Sequence, residues 1–135
     1  MADEVHDAVT GAGWAAANVD AMGDGPGFRK VRRVLEVTAF GINAIVLPEG
    51  IETGFHYHDE QQEIYFVHQG EVEFAFDDGE KIVLGPGGFV RVDAATHRKM
   101  RNVGQGEAIY VSVGGKDGYV GRDAHVPEGD SRVRE

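Results

Sequence analysis

The sequence predicts an all-β fold, a sandwich or a barrel. Three observations carry this expectation. Apolar residues alternate with polar ones in several short runs, turn signals separate those runs at short intervals, and no helical stretch is long enough to carry a crossover between parallel strands. Residues 1–27 read as a leader with little core, irregular or partly helical. Val5 and Val9 stand four apart, which fits a weak helix over 4–9. The run Gly23-Asp24-Gly25-Pro26-Gly27 breaks any regular element and marks the edge of the domain, expected over 28–114.

From Phe28 onward the pattern is β. Segments 31–37 and 39–47 are rich in β-branched and aromatic residues, and Pro48-Glu49-Gly50 turns the chain. Segments 63–69 and 71–76 are strands hinged at Gly70. In the second, Val72, Phe74 and Phe76 alternate with Glu71, Glu73 and Ala75, a period of two that gives one buried and one wetter face. Asp77-Asp78-Gly79 suits a hairpin because glycine accepts positive φ. Strands are expected over 81–84, 89–92, 98–103 and 107–113, with a turn at Gly85-Pro86-Gly87-Gly88. The tail, 115–135, is polar and glycine-rich and is expected to pack an edge or fray.

Composition narrows the function. There are 135 residues and no cysteine, so disulfides, thiolate metal sites and a cysteine nucleophile are excluded. The opening MADEVHDAVT lacks the basic and apolar regions of a secretory signal, no apolar run is long enough to span a bilayer, and a cytoplasmic location is expected. Thirteen Lys and Arg stand against 23 Asp and Glu, a net charge of -10 that repels phosphate backbones and argues against a nucleic-acid partner. The basic cluster Arg29, Lys30, Arg32 and Arg33 reads as a solvated strand edge rather than an anion site.

The chemistry lies between Gly50 and Gly70. His56 and His58 are two apart, so on an extended chain both imidazoles project from one face. Two neutral imidazoles can then reach one metal ion at about 2.0–2.2 Å. Glu63 begins the next strand. If that strand lies beside the first, its carboxylate completes a set of two nitrogens and one oxygen with open positions, which suits Fe(II), and also Mn, Ni or Zn. Taken singly, a His-x-His pair is commonly solvated and a lone Glu is commonly a surface carboxylate. Their place at a strand entry in a barrel-like chain raises the metal reading above those. His6, His68 and His125 have no metal-like spacing.

Gly50, His56, His58, Glu63 and Gly70 match every fixed position of G-x5-H-x-H-x3–4-E-x6-G, and the segment resembles the first motif of the cupins. The resemblance covers about residues 40–114. It implies a double-stranded β-helix, or jelly-roll barrel, usually a homodimer, with one divalent metal inside and a small molecule as partner. The second cupin motif, G-x5-P-x-G-x2-H-x3-N, is degraded. Gly87 and Asn102 keep their separation, but Asp93 and Ala95 replace the Pro and Gly, and Arg98 occupies the position of the fourth ligand, with His97 one residue early. Two readings stay open: His97 is a fourth ligand reached through a tightened turn, or His97 faces outward and Arg98 enters the barrel. A one-residue offset reverses a strand side chain, so strict register favours the second. Arg98 would then clamp a carboxylate or phosphate of the substrate. If Glu63 and Arg98 point inward, so do Tyr65 and Met100, the candidate pocket walls.

The function expected is a metal-binding cupin acting on a small anionic molecule, as a metal-dependent dioxygenase or isomerase. The alternative is a non-catalytic sensor or storage cupin, which the degraded second motif favours modestly. A purely structural domain leaves the histidines and Glu63 unexplained.

Overall fold

The period-two pattern around Gly70 becomes the inner faces of two opposed antiparallel sheets in the computed structural model, which describes residues 8–127. In chain order the elements are β1 (Val9–Gly11), β2 (Trp14–Ala16), a 3-10 turn (Val19–Ala21), β3 (Gly27–Arg29), α1 (Val31–Leu35), β4 (Gly41–Leu47) and β5 (Tyr57–His58). Then come β6 (Gln62–Gln69), β7 (Val72–Phe76), β8 (Lys81–Leu84), β9 (Phe89–Val92), β10 (Arg98–Asn102), β11 (Ala108–Gly115) and β12 (Ala124–His125).

One sheet runs β3-β4-β11-β6-β9 and the other β10-β7-β8. The second sheet is extended by the chain before β5. Isolated bridges join Glu52 to Arg101 and His56 to Arg98, and β12 pairs with β5 beyond them. This is the double-stranded β-helix that the resemblance implied. Among the described residues, no helix is long and apolar enough to cross a membrane.

The core follows the pleat. On β6, Glu63, Tyr65 and Val67 are buried while Ile64 and His68 face out, and on β10, Arg98, Met100 and Asn102 are buried. Tyr65 and Val67 pack with Val72, Phe74, Ile45, Leu47, Ala108 and Tyr110 from both sheets. The rings of Tyr65, Phe74 and Tyr110 meet at centroid distances of 5.5, 6.0 and 6.2 Å, in the range where aromatic pairs add to area burial. Gly70 shows why its motif demands glycine. Its φ is +82°, and a Cβ there would lie 2.9 Å from the Ala108 Cβ across the sheet.

Two segments differ from expectation. Segment 31–37 holds α1 rather than a strand, closed by Glu36 in the left-handed region at φ +56° with its N–H on the Arg32 and Arg33 carbonyls. Val31, Val34 and Leu35 recur at helical spacing. Val34 is buried, and Val31 packs with Val19 against Ala44, Val46 and Ile109, the outer face of the first sheet. Tertiary burial of that stripe overrode the strand propensity of valine. In the leader, Val9 lies in the β1–β2 hairpin, while the rest of the helix expected over 4–9 falls outside the described residues. The tail packs an edge through β12.

Candidate functional site

The barrel interior changes character along its length. Around Leu47, Val72 and Ala108 it is apolar, and towards the other end the inward positions of β4, β11 and β6 become Asn43, Ser112 and Glu63. A cavity of about 140 Å³ opens there. That is close to the ~150 Å³ of an engineered cavity that admits benzene, so the space suits a small molecule.

His56, His58 and Glu63 line this cavity and converge. One ligand atom from each lies within 4.8 Å of the others, and among the described residues this is the one such group. His56 is placed by reciprocal backbone bonds with Arg98, His56 N–H to the Arg98 carbonyl at 2.9 Å and the return bond at 3.0 Å. Glu63 sits on β6 between Gly114 of β11 and Val92 of β9. Its Oε1 is 3.9 Å from His56 Nε2 and 3.3 Å from His58 Nε2.

His58 is oriented from behind. Its Nδ1 donates to Asp123 Oδ1 at 2.9 Å, which leaves Nε2 aimed at the group. Although close to Glu63, His58 Nε2 is buried and has no aligned hydrogen-bond partner. A buried orphan nitrogen is costly in an apo protein and natural beside a cation, so the donor set fits a metal ion. Asp123 is itself fixed by the backbone N–H groups of Glu60 and Gln61 at 2.9 and 3.0 Å and by the Gln61 side chain.

Charge is balanced tightly. Burial alone would raise the Glu63 pKa, but the nearby imidazoles of His56 and His58 and the charge of Arg98 hold it well below the carboxylate range. Burial lowers the His56 pKa, with the Glu63 carboxylate offsetting only part of it. At His58 burial also acts downward, but Glu63 and Asp123 outweigh it and the pKa is raised. Burial would raise Asp123 as well, yet the bonds from Gln61, Glu60 and His58 keep it low. Tyr65 is pushed well above its ordinary value, first by burial and then by the Glu63 charge.

The remaining predicted residues separate. Tyr65 and Met100 line the cavity, and the Tyr65 hydroxyl donates to Glu63. Arg98 is fully buried, pointing inward as strict register favours, but it lies behind Glu63 and not on the cavity wall. Its donors go to Tyr65 Oη at 3.2 Å, Glu63 Oε1 at 3.3 Å and the Ala94 and Thr96 carbonyls. His97 lies outside the group. Its ring stacks on Tyr57 at 4.4 Å and its Nδ1 is 3.5 Å from Asp77.

Two features escaped the sequence reading. Asp123 is 65 residues from His58 in a polar tail, and nothing in its neighbourhood signals a role. Lys30, Arg32 and Arg33, read as a solvated strand edge, line the cavity instead, while Arg29 is buried with Nη2 on the Gly25 carbonyl at 2.6 Å. The clue available was their density in an otherwise acidic chain.

Comparison with known proteins agrees with this architecture. A cupin domain model matches residues 44–114, more than half of the chain. A conserved protein with a double-stranded β-helix domain from Klebsiella pneumoniae superposes with TM-score 0.70 at 21% identity, over 84% of this chain and 96% of that one. A sugar phosphate isomerase of the cupin superfamily from Silicibacter pomeroyi gives 0.62 at 22% identity, over 75% of this chain and 64% of that one. A DMSP lyase structure gives 0.57 at 19% identity, over 66% of this chain and 44% of the other, so this chain spans less than half the lyase's length. A search of curated proteins found no match. At these identities the likenesses speak for the fold, and the domain match extends it to the family: the chain belongs to the cupins.

Proposed function

We propose that this cupin binds one divalent metal ion, Fe, Mn, Ni or Zn, on His56, His58 and Glu63 and acts there on a small anionic molecule as a dioxygenase- or isomerase-type enzyme. The observation that carries the reading is the buried, unbonded His58 Nε2 facing Glu63 and His56 at the inner end of a cavity. A bound divalent ion supplies Lewis-acid polarisation of substrate oxygens, or redox chemistry where the metal permits it. The protein's own residues do the rest. Asp123 fixes the His58 tautomer, and Arg98 and Tyr65 hold the Glu63 carboxylate in place. Tyr65 and Met100 wall the cavity and exclude water from one side. In this reading Arg98 serves Glu63 rather than the substrate, because its donors are already engaged.

A sensor or storage role is the second reading. It is favoured by the same commitment of Tyr65 and Arg98 to Glu63, which leaves neither as a free acid or base. A homodimer in the cytoplasm belongs to the proposal, supported by exposed Ile82, Val83 and Phe89 on the sheet-edge strands β8 and β9. No nucleic-acid partner is expected at a net charge of -10. Elemental analysis of freshly purified protein tests the site: about one ion per chain in wild type and in His97→Ala, and none in His58→Ala. Metal in His58→Ala, or its loss in His97→Ala, contradicts the assignment. Oxygen uptake or isomer formation with small acids then separates enzyme from binder.

A further inference from the structure

Lys30, Arg32, Arg33 and Arg122 line the same cavity as His56, His58 and Glu63. They come from two places far apart in sequence, the segment at α1 and the tail just before Asp123. Arg33 and Arg122 are exposed, whereas His58 and Glu63 are buried, so the cations occupy the open end and the metal-type group the inner end.

None of the four has a carboxylate partner among the described residues. The chain has 23 acidic residues for 13 Lys and Arg, so partners were not scarce. One of the cations is also held. The Arg32 guanidinium lies 4.0 Å over the Tyr119 ring, another wall residue, which fixes its plane and leaves its edge donors free. Arg122 adopts φ +57°, a conformation that residues with a side chain rarely take, next to the Asp123 that anchors His58.

We propose that these four residues bind the carboxylate or phosphate of a small organic anion, whose other, oxygen-bearing end reaches towards His56, His58 and Glu63. The inference rests on the preceding reading of the site and names the place and class of its substrate. At a net charge of -10 the molecule as a whole repels anions, and four cations without carboxylate partners among the described residues place positive charge at the cavity's open end. Charge-assisted bonds from arginine supply the recognition that Arg98 cannot, since its donors are engaged within the protein.

The test is calorimetric titration of the full chain with inorganic phosphate and, separately, malonate at constant ionic strength, with metal content measured on the same preparations. Wild type and Lys81→Gln, an exposed change away from the cavity, are expected to bind at least one anion saturably with one site per chain. The double variant Arg32→Gln/Arg122→Gln is expected to bind at least tenfold more weakly with metal content unchanged, and Arg33→Glu gives an independent variant if the double one does not fold. Tighter phosphate marks a phosphate ester and tighter malonate a dicarboxylate, and either supports the site. Binding of neither anion by wild type, or equal binding by the cation variants, overturns it. Anion binding by a protein that takes up no metal leaves this site standing and removes the metal reading instead.

Discussion

Glu63 illustrates how much one side chain is asked to do. It ends the apolar face of β6, accepts from Tyr65 and Arg98, and faces both imidazoles. Because Glu63 and Asp123 are held below their unfolded pKa values, the metal-free protein is expected to gain stability from them above about pH 4. That contribution is lost as pH falls further, through the depressed folded values. His58, with a raised pKa, acts in the opposite sense: its contribution is present below about pH 6.5 and fades as pH rises through its folded value. Melting temperatures of metal-free protein from pH 3 to 7 should therefore drop steeply at the acid end, less so in Glu63→Gln. An equal drop in both would mean the carboxylate is not held as described. Asp123→Asn keeps the shape but removes the charge behind His58, and metal affinity is expected to fall about 10–100-fold in a chelator competition. Unchanged affinity would make the Asp123 contact merely structural.

At the scale of elements, the site depends on how closely β11 passes β6. Gly114 lies opposite Glu63, and a Cβ there would run first into Gln61 Oε1, whose side chain holds Asp123, and would come 3.0 Å from Glu63 Cγ. Gly114→Ala is expected to displace the carboxylate and weaken metal binding about tenfold while leaving the melt cooperative, as read by calorimetry of both properties. The sequence disclosed the β6–β7 hinge, because Gly70 and the alternation around it are local signals with a period of two. It misread α1, because Val31, Val34 and Leu35 are valine-rich yet spaced for a helix, and the partner that decides between the two is a sheet face distant in the chain. The inward direction of Arg98 followed from register, whereas its bonds to Glu63 and Tyr65 required the neighbouring strand to be in place.

For the whole molecule, the two ends of the barrel divide labour. The packed end around Val67, Val72 and Phe74 provides stability, and the polar end holds the group that fits a metal. Segments outside the matched domain complete that polar end: α1 brings cations from one side, and the tail brings Arg122 and Asp123 from the other. His56, His58 and Glu63 were legible because a spaced motif carries them, while the residues that orient them or surround the opening carry no motif and are joined to the site only by the fold. The most direct test of the central claim is a titration of metal-free protein with Mn(II), Fe(II) and Zn(II) under anaerobic conditions, in wild type and in His56→Ala/Glu63→Gln. One ion per wild-type chain and none in the double variant is the predicted result. Equal uptake by the two proteins, or none by wild type, would contradict it.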